Sequence, residues 1–566
     1  MSRVLWLGLI VLLMLFPVAS LHAEATARLS GTIRDPQGAI IPGAEVVATN
    51  SQTGLSRQAT TSATGDFILL ELPVGTYRLR VAAHGFRSYV QEGISLSAEQ
   101  AARNDVVMQV GDVAEQVSVT SEASMVDTSN SEVKSTIDTK RMLEIPLVGR
   151  NILGLATLIP GVTTTGDDVF DTAAPSVSAG VNNGTRIFVN GNRSQSNNFQ
   201  LDGASFTGTN YEASPSRYPP PDSVDEVSVL TSGFKAEYGG AAAVFNAVTK
   251  SGTNEFHGAV WEFLRNNVMN ATNYFGSPDS NKYQYNQFGG ALGGPIVRNK
   301  LFFFFSYEGL RGRLGNTPSV SVVPTNAQRA GDFSTIDTQL IDPATHQPFA
   351  GNIIPTNRLD PVAQNLLKNF VPLPNGQSNE YTFAFPTHQD YNQYLFKVDY
   401  SLTQNSRLSV RGITSYSDNI TPPSLPGFVQ NNPLHNVNLT ISHTQTFSPT
   451  TLNEFHATLQ RFISPNEQTQ SNAVTARELG FQNNPVPYST AVPGTEVDSY
   501  FQIGTSGSGT TTSLGNAYVY QDALSLVRGR HTIKIGGEYR ISRYAEWGEW
   551  DTRGDFEFGG SLTGNA

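Results

Sequence analysis

From residue 255 onward, stretches of about ten residues alternate apolar and polar side chains, with turn-forming clusters between them. The clearest is NQYLFKVDYSLTQNSRLSVRGITSY. There Tyr394, Phe396, Val398, Tyr400 and Leu402 point one way, and Gln393, Lys397, Asp399 and Ser401 the other. After the turn at 403–406, Leu408 and Val410 continue the apolar face, while Arg407, Ser409 and Arg411 continue the polar one. HTIKIGGEYR repeats the pattern, with Ile533, Ile535 and Tyr539 against Lys534, Glu538 and Arg540. A water-soluble sheet also alternates. Here the apolar face carries Tyr at its ends and the other face carries Lys, Asp and Arg, as in a membrane strand with an aromatic girdle outside and a wet lumen inside.

About ten such strands are expected, near 256–265, 283–293, 301–311, 391–402, 407–416, 434–447, 451–462, 516–527, 531–545 and 553–560. PIVRNK, TQNS, SPT and RGR are short connections, and they alternate with long ones, the longest over 312–390. A soluble sandwich has no reason to sort its loops by end, whereas an outer-membrane barrel does. In LGGPIVRNKLFFFFSYEGLR, Leu301, Phe303, Phe305 and Tyr307 fall on the lipid face. Phe302 and Phe304 fall inside, near the short-turn end, and Ser306 and Glu308 follow at a wetter level of the lumen.

The earlier chain reads differently. Residues 26–110 give about seven short strands with turns at Asp35-Pro36-Gln37-Gly38, Gly65-Asp66 and Pro73-Val74-Gly75; Tyr77, Leu79 and Val81 share a face. A small β-sandwich fits. Residues 111–123 are a polar linker with one alternating patch, Val113, Val117 and Val119. It is either an edge strand or a free strand offered to a partner sheet. Residues 124–252 read as a compact α+β globule, with helical spacing around 140–143 and 151–158, and strands at 227–230 and 244–249.

Composition narrows the chemistry. The 566 residues include no cysteine, so there is neither a disulfide framework nor a thiolate site. A net charge of −11 argues against a nucleic-acid partner. Residues 1–23 form a secretory signal peptide: one early Arg, then VLWLGLIVLLMLFPVAS, too short to span a bilayer. No catalytic elbow, zinc-protease helix or phosphate loop occurs, so no enzyme, catalytic residue or cofactor is expected. GTSGSGTTTS at 504–513 reads as an outer loop, and Asp167-Asp168 as a solvated plug loop in preference to a calcium site; no metal site is expected.

GTIRDPQGAIIPGAEV followed by ATGDFILLELPVGTYRLRVAAHGF resembles the carboxypeptidase regulatory-like domain, a non-catalytic module. Residues 124–252 resemble the plug of TonB-dependent outer-membrane receptors. The match rests on Pro146 with Gly149-Arg150, Val189-Asn190-Gly191, Leu201-Asp202-Gly203, Val224-Asp225-Glu226-Val227, Glu237-Tyr238-Gly239 and Val248-Thr249-Lys250-Ser251-Gly252, in that order. The whole is similar to receptors of the Oar-like group. The expected fold is therefore mainly β: signal peptide 1–23, β-sandwich 26–110, linker 111–123, α+β plug 124–252 and a partial antiparallel transmembrane β-barrel over 253–566.

The resemblance implies energised uptake of a scarce small ligand of the siderophore, oligosaccharide or peptide class across a Gram-negative outer membrane. Plug and N-terminal domain would lie in the periplasm, and TonB with its inner-membrane energising complex would be the partner. Val117 and Val119, in AEQVSVT, would pair with TonB; Arg150 and Glu226 would anchor the plug to the wall; Asn198, Asp202 and Tyr211 would line the ligand face. A surface lipoprotein is the expected partner if the ligand is a glycan, with Tyr211, Tyr218, Tyr274 and Tyr283 as aromatic platforms. The alternative is an adhesion or surface-organising protein working through its long loops. The chain stops at GGSLTGNA without a terminal aromatic strand, and members of the family close with about twice as many strands. A truncated sequence forming an open curved sheet is therefore expected.

Overall fold

A computed structural model describes residues 26–112 apart from 99, 116–120, 132–165 apart from 146, 186–208, 218–269, 283–376, 379–421, 424–470, 474–482, 492–504, 508–528, 531–550 and 554–560. The expected signal peptide, Val113, Pro146, Asp167, Asp168, Tyr211 and Tyr274 lie outside these residues.

The N-terminal unit is a sandwich of two sheets. In one, Thr26–Arg34 runs between Asp66–Pro73 and the short strands Ala101–Arg103 and Val106–Val107. In the other the order is Ser56–Thr60, Glu45–Asn50, Gly75–Ala82, Ser88–Leu96 and Gln116–Thr120. Tyr77, Leu79 and Val81 all turn into the core between the sheets. The linker patch takes the edge-strand option: Gln116–Thr120 pairs in parallel with Ser88–Leu96, Val117 opposite Tyr89 and Val119 opposite Gln91.

The plug is a five-stranded sheet in the order Val133–Asp138, Val224–Ser232, Ala243–Thr249, Asn197–Leu201, Ala204–Ser205, beside a pair Val162–Thr165 and Arg186–Val189. Asp138 caps the helix Thr139–Glu144 by accepting from the Arg141 N–H at 2.9 Å. Asn151 starts the turn Ile152–Leu158 in the same way. Two Asx-Gly pairs take positive φ at both residues, Asn190-Gly191 (51° and 75°) and Asp202-Gly203 (53° and 75°). Positive φ at both central residues is the type I′ turn, and at Asp202-Gly203 it closes a two-residue hairpin. Leu201 pairs with Ala204 across the second of them.

The third unit is a ten-stranded antiparallel sheet. Nine long strands follow one another in chain order: His257–Asn266, Tyr283–Val297, Leu301–Val322, Glu380–Thr403, Ser406–Thr421, Leu434–Ser448, Thr451–Gln470, Ser508–Arg528 and His531–Trp550. The tenth is short: Phe428–Asn431 bridges the far ends of Ser406–Thr421 and Thr451–Gln470. Among the described residues the first and last long strands do not pair with each other, so the sheet is open. Connections 298–300, 404–405 and 449–450 fall at one end, where the paired ends Arg528 and His531 also lie, and the strand ends that flank the long connections lie at the other.

Alternation holds residue by residue. Phe305, Tyr394 and Phe396 are 44%, 45% and 46% exposed, while Phe304, Leu395 and Lys397 between them are 2%, 1% and 1% exposed. Phe304 joins Leu395 and Ile413 in the hydrophobic core of the plug.

Three expectations need correction. The segment at 553–560 is not a wall strand: Asp555–Phe558 pairs in parallel with Gly494–Val497, in a separate sheet with Phe501–Ile503. Four residues cannot cross a bilayer that asks for about nine to eleven, and the free edge of Gly494–Val497 takes them instead. The connection expected over 312–390 is shorter, because its flanking strands run on to Val322 and back from Glu380. At 22 and 24 residues these strands reach past any bilayer, at roughly 3.3 Å per residue. Beyond it, parts of three of the long connections fold together over a core of Val323, Leu366, Phe370, Leu425, Leu479, Val492 and Ile503. Finally, Ser508–Arg528 claims part of the 504–513 stretch for the wall.

Phe305→Arg places a cation on the outward face and is expected to cost about 2–4 kcal/mol at the bilayer middle. Urea-titrated folding into lipid vesicles measures it, with an outward Arg beyond the apolar band, Arg313, replaced by Lys as the neutral control.

Candidate functional site

The site is the boundary between plug and wall, and its chemistry is ionic. Lys397 and Arg411 sit directly opposite each other on neighbouring strands and both face inward. They are 1% and 2% exposed. Like charges placed so are destabilising, and burial makes isolation worse.

Asp202, at the tip of the plug hairpin, resolves the conflict. Its Oδ2 accepts from Arg411 Nη1 at 2.9 Å, and its Oδ1 lies 3.6 Å from Lys397 Nζ. Thr249 donates its N–H at 2.7 Å and its hydroxyl at 2.8 Å to the same carboxylate. Arg411 further donates to Leu201 O, Asn438 Oδ1 and Thr440 Oγ1 at 2.5, 2.8 and 2.7 Å. Burial pushes the Asp202 carboxyl up, but Lys397, Arg411 and the Thr249 N–H outweigh it and hold it below the ordinary carboxylate range.

A second pin is Arg150, with positive φ (54°) at the end of the turn Val148–Arg150. It pairs with Asp222 of the plug and, at 3.2 Å, with Glu308 of the wall. Its guanidinium lies over the Phe263 ring at 4.2 Å. Gln287 Nε2 donates to Glu308 at 3.0 Å, and the hydroxyls of Ser223 and Ser306 meet at 2.5 Å. At the level of Ser306 and Glu308 the lumen is therefore filled by the plug, not wet as expected. A third contact gathers on Ser205, whose carbonyl accepts from Gln460 at 2.7 Å and whose hydroxyl accepts from Arg540 at 2.6 Å. Nearby, Lys534 of the wall pairs with Glu237 of the plug.

The residues singled out from sequence separate. Arg150 reaches the wall. Glu226 does not: its carboxylate accepts the Ala98 N–H of the N-terminal domain at 2.6 Å, because it faces the sandwich across the plug's near edge. Burial raises its carboxyl above the ordinary range, against the pull of Lys134 and the Ala98 N–H. Asp202 is spent on wall cations and on Thr249, so it pins the plug instead of facing a ligand. Asn198 is half-buried on Asn197–Leu201, opposite Val244. Tyr218 is no platform. It is buried, tilts against Phe206 at 4.9 Å and donates to Gln200 O at 3.1 Å. Alternation puts Lys397, Arg411 and Glu308 on the inward face without showing that they meet the plug. The signal lay in the hairpin register, which sets Lys397 against Arg411 and so demands an anion from elsewhere. Among the described residues no group of three His, Asp or Glu side chains is placed to hold a metal ion.

Residues 248–566 match the family described as the outer membrane beta barrel domain, more than half of the chain. Residues 126–244 match the TonB-dependent receptor plug domain, and 28–109 the carboxypeptidase regulatory-like domain. A curated relative, the TonB-dependent transporter Oar of Myxococcus xanthus, is 27% identical over 294 residues, covering 50% of this chain and 26% of that protein. The chain thus spans about a quarter of that relative's length. Among solved structures, the outer membrane transporter YddB from Escherichia coli aligns with a TM-score of 0.47 at 10% identity, over 73% of this chain and 48% of its own. The siderophore receptor PirA from Acinetobacter baumannii aligns with a TM-score of 0.43 at 12% identity, over 74% and 49%.

Asp202→Ala leaves two wall cations buried without their anion, a loss of about 3–5 kcal/mol. Hydrogen exchange of Asn197–Leu201 and Ala243–Thr249 should rise accordingly, and Asp202→Asn should fall between. Because the Asp202 carboxyl is lowered in the folded state, its contribution is full above about pH 4 and is lost as pH falls through its lowered value. Acid titration of the same exchange rates checks that sign.

Proposed function

We propose that this chain, which belongs to the TonB-dependent outer-membrane receptors, serves energised uptake of a scarce small ligand and performs no chemistry on it. The observation that carries the reading is the pinned plug: a diffusive pore has no use for a folded globule tied into its wall by Asp202 and Arg150. Energy then has to come from outside the chain, as proton-motive force delivered through TonB to the segment holding Val117 and Val119.

The short-turn end is the periplasmic one in this reading. The N-terminal sandwich meets the wall there: Arg57 donates to Gln404 O, and Thr446 Oγ1 donates to Glu71 at 2.6 Å. The long connections lie outside and supply the ligand face, with Asn198 and Tyr211 of the plug as candidates. Siderophore, oligosaccharide and peptide remain the ligand classes, a glycan calling for a surface lipoprotein partner. A second reading, adhesion or surface organisation, is favoured by one observation. The long connections share a single core around Phe370, Leu479 and Ile503, a body able to present a fixed surface to another macromolecule.

The test deletes residues 111–121 from the full chain and follows accumulation of iron chelates, cobalamin, oligosaccharides and peptides in cells with and without a protonophore. Energy-dependent accumulation of one of them should vanish on deletion while the amount of folded protein in the outer membrane stays the same. Accumulation that survives both the deletion and the protonophore contradicts the proposal. Cell–cell adhesion that fails without any uptake phenotype supports the second reading.

A further inference from the structure

Among the described residues, the N-terminal sandwich is fastened to the rest at two patches besides its linker. The first faces the wall. In the pairing of Thr26–Arg34 with Asp66–Pro73, Ala27 meets Leu72 and Leu29 meets Leu69, so Leu70 and Glu71 bulge opposite the single Arg28. Glu71 takes φ 58°, a conformation a non-glycine residue adopts only when its surroundings hold it there. The bulge turns the carboxylate out of its own sheet and under the wall. Glu71 is 2% exposed; Arg57 holds it at 2.7 Å, and Thr446 Oγ1 of the wall donates to it at 2.6 Å. The other arm of Arg57 donates to Gln404 O in a short wall connection. Beside it the Asn254 N–H donates to Gln52 O at 3.0 Å.

The second patch faces the plug. The Ala98 N–H donates to Glu226 at 2.6 Å, and Lys134 on the plug's edge strand donates to Ala98 O. Apolar contact between domain and plug is slight, with Ala98 and Val74 on Val248. A dock made of polar bonds with little apolar area sits at the low end of local stability and is suited to opening.

The same sandwich holds Gln116–Thr120 as the outermost strand of its five-stranded sheet. One edge of that segment is paired to Ser88–Leu96, and among the described residues the other edge has no strand beside it. A partner strand can add at such an edge. What it then grips is the sandwich, not a loose tether. In chain order the plug's edge strand, Val133–Asp138, comes next.

We propose that the N-terminal domain is a releasable clamp, latched to the wall through Glu71 and Arg57, which receives a pull applied at Gln116–Thr120 and must undock before the pull reaches the plug. The inference rests on energised uptake as the function. In the resting state the clamp covers the short-turn end and keeps the plug from being drawn by chance; under load the latch opens first, and only then does Val133–Asp138 bear tension against Val224–Ser232.

Because the chain has no cysteine, Gln52→Cys with Asn254→Cys gives a cross-link free of background. Full-length protein in intact cells is oxidised with and without a protonophore, and the cross-linked fraction is read on non-reducing gels. The cross-link should form in de-energised cells, fall at least threefold on energisation, and stay high on energisation when residues 111–121 are deleted. Thr446→Val removes the wall's bond to Glu71 without touching the sandwich interior and should lower the resting cross-link severalfold. No cross-link in either condition, or equal yield in both, overturns the clamp. A photo-crosslinker at Val117 separates the two failures. If it still captures TonB while the cysteine yield is unchanged, the clamp is wrong and uptake stands; if it captures nothing, uptake falls as well.

Discussion

A wall strand that alternates greasy and charged side chains has to meet two solvents at once, and the charged side sets the harder condition. Lys397 and Arg411 are forced by register to the same level of the lumen, nearly dry and directly opposed. Neither can stay there uncompensated. Asp202 on a plug hairpin is the compensation, and the Asx-Gly turn that presents it exists because Asp tolerates and Gly prefers positive φ. The ion pair thus ties a local rule about turns to the seating of a whole globule. Arg150 repeats the arrangement with the signs exchanged, a plug cation set between Asp222 and the wall's Glu308.

The greasy side follows without further assumption. With the inward row committed to the plug, Leu301, Phe303, Phe305 and Tyr307 turn to the other face, where Tyr307 packs against Tyr394 at 5.0 Å and the surface that remains open is left to hydrocarbon. The Phe run that looks unsorted as text is sorted by the pleat: Phe302 and Phe304 are buried on the inner side, Phe304 within the plug core, and their neighbours turn outward. The polar short-turn end receives the N-terminal sandwich, and the far ends of the long strands, past any bilayer, carry a second small core of their own. Three packing problems therefore stack along one axis, each solved by contacts of a different kind: polar bonds at the near end, buried ions in the middle, an apolar cluster at the far end.

Much of this was legible because period-two patterning and turn chemistry are local. The faces of 391–402 and 407–416, the short connections, the Asx-Gly turns and the sandwich core around Tyr77, Leu79 and Val81 can all be read from neighbours a few residues apart. What escaped was long-range. Nothing near Glu226 says that its partner is Ala98, 128 residues earlier. Nothing near Asp202 distinguishes a ligand-facing carboxylate from one spent on Arg411, 209 residues later. The segment 555–558 has strand character but no means of announcing that it pairs with 494–497. The one long-range clue available was the opposed Lys397 and Arg411, since an unfavourable pair in a predicted hairpin implies an unseen anion.

The central claim is the division of the wall into a face that touches lipid and a face that touches the plug. A lipid-dissolved photoactivated carbene, applied to the protein in outer-membrane vesicles and read by peptide mass spectrometry, tests it within a single stretch of chain. The account predicts labelling at Phe303, Phe305, Tyr307 and Phe396, and none above background at Phe302, Phe304 or Leu395. Equal labelling of adjacent phenylalanines, or labelling confined to Phe302 and Phe304, would contradict it.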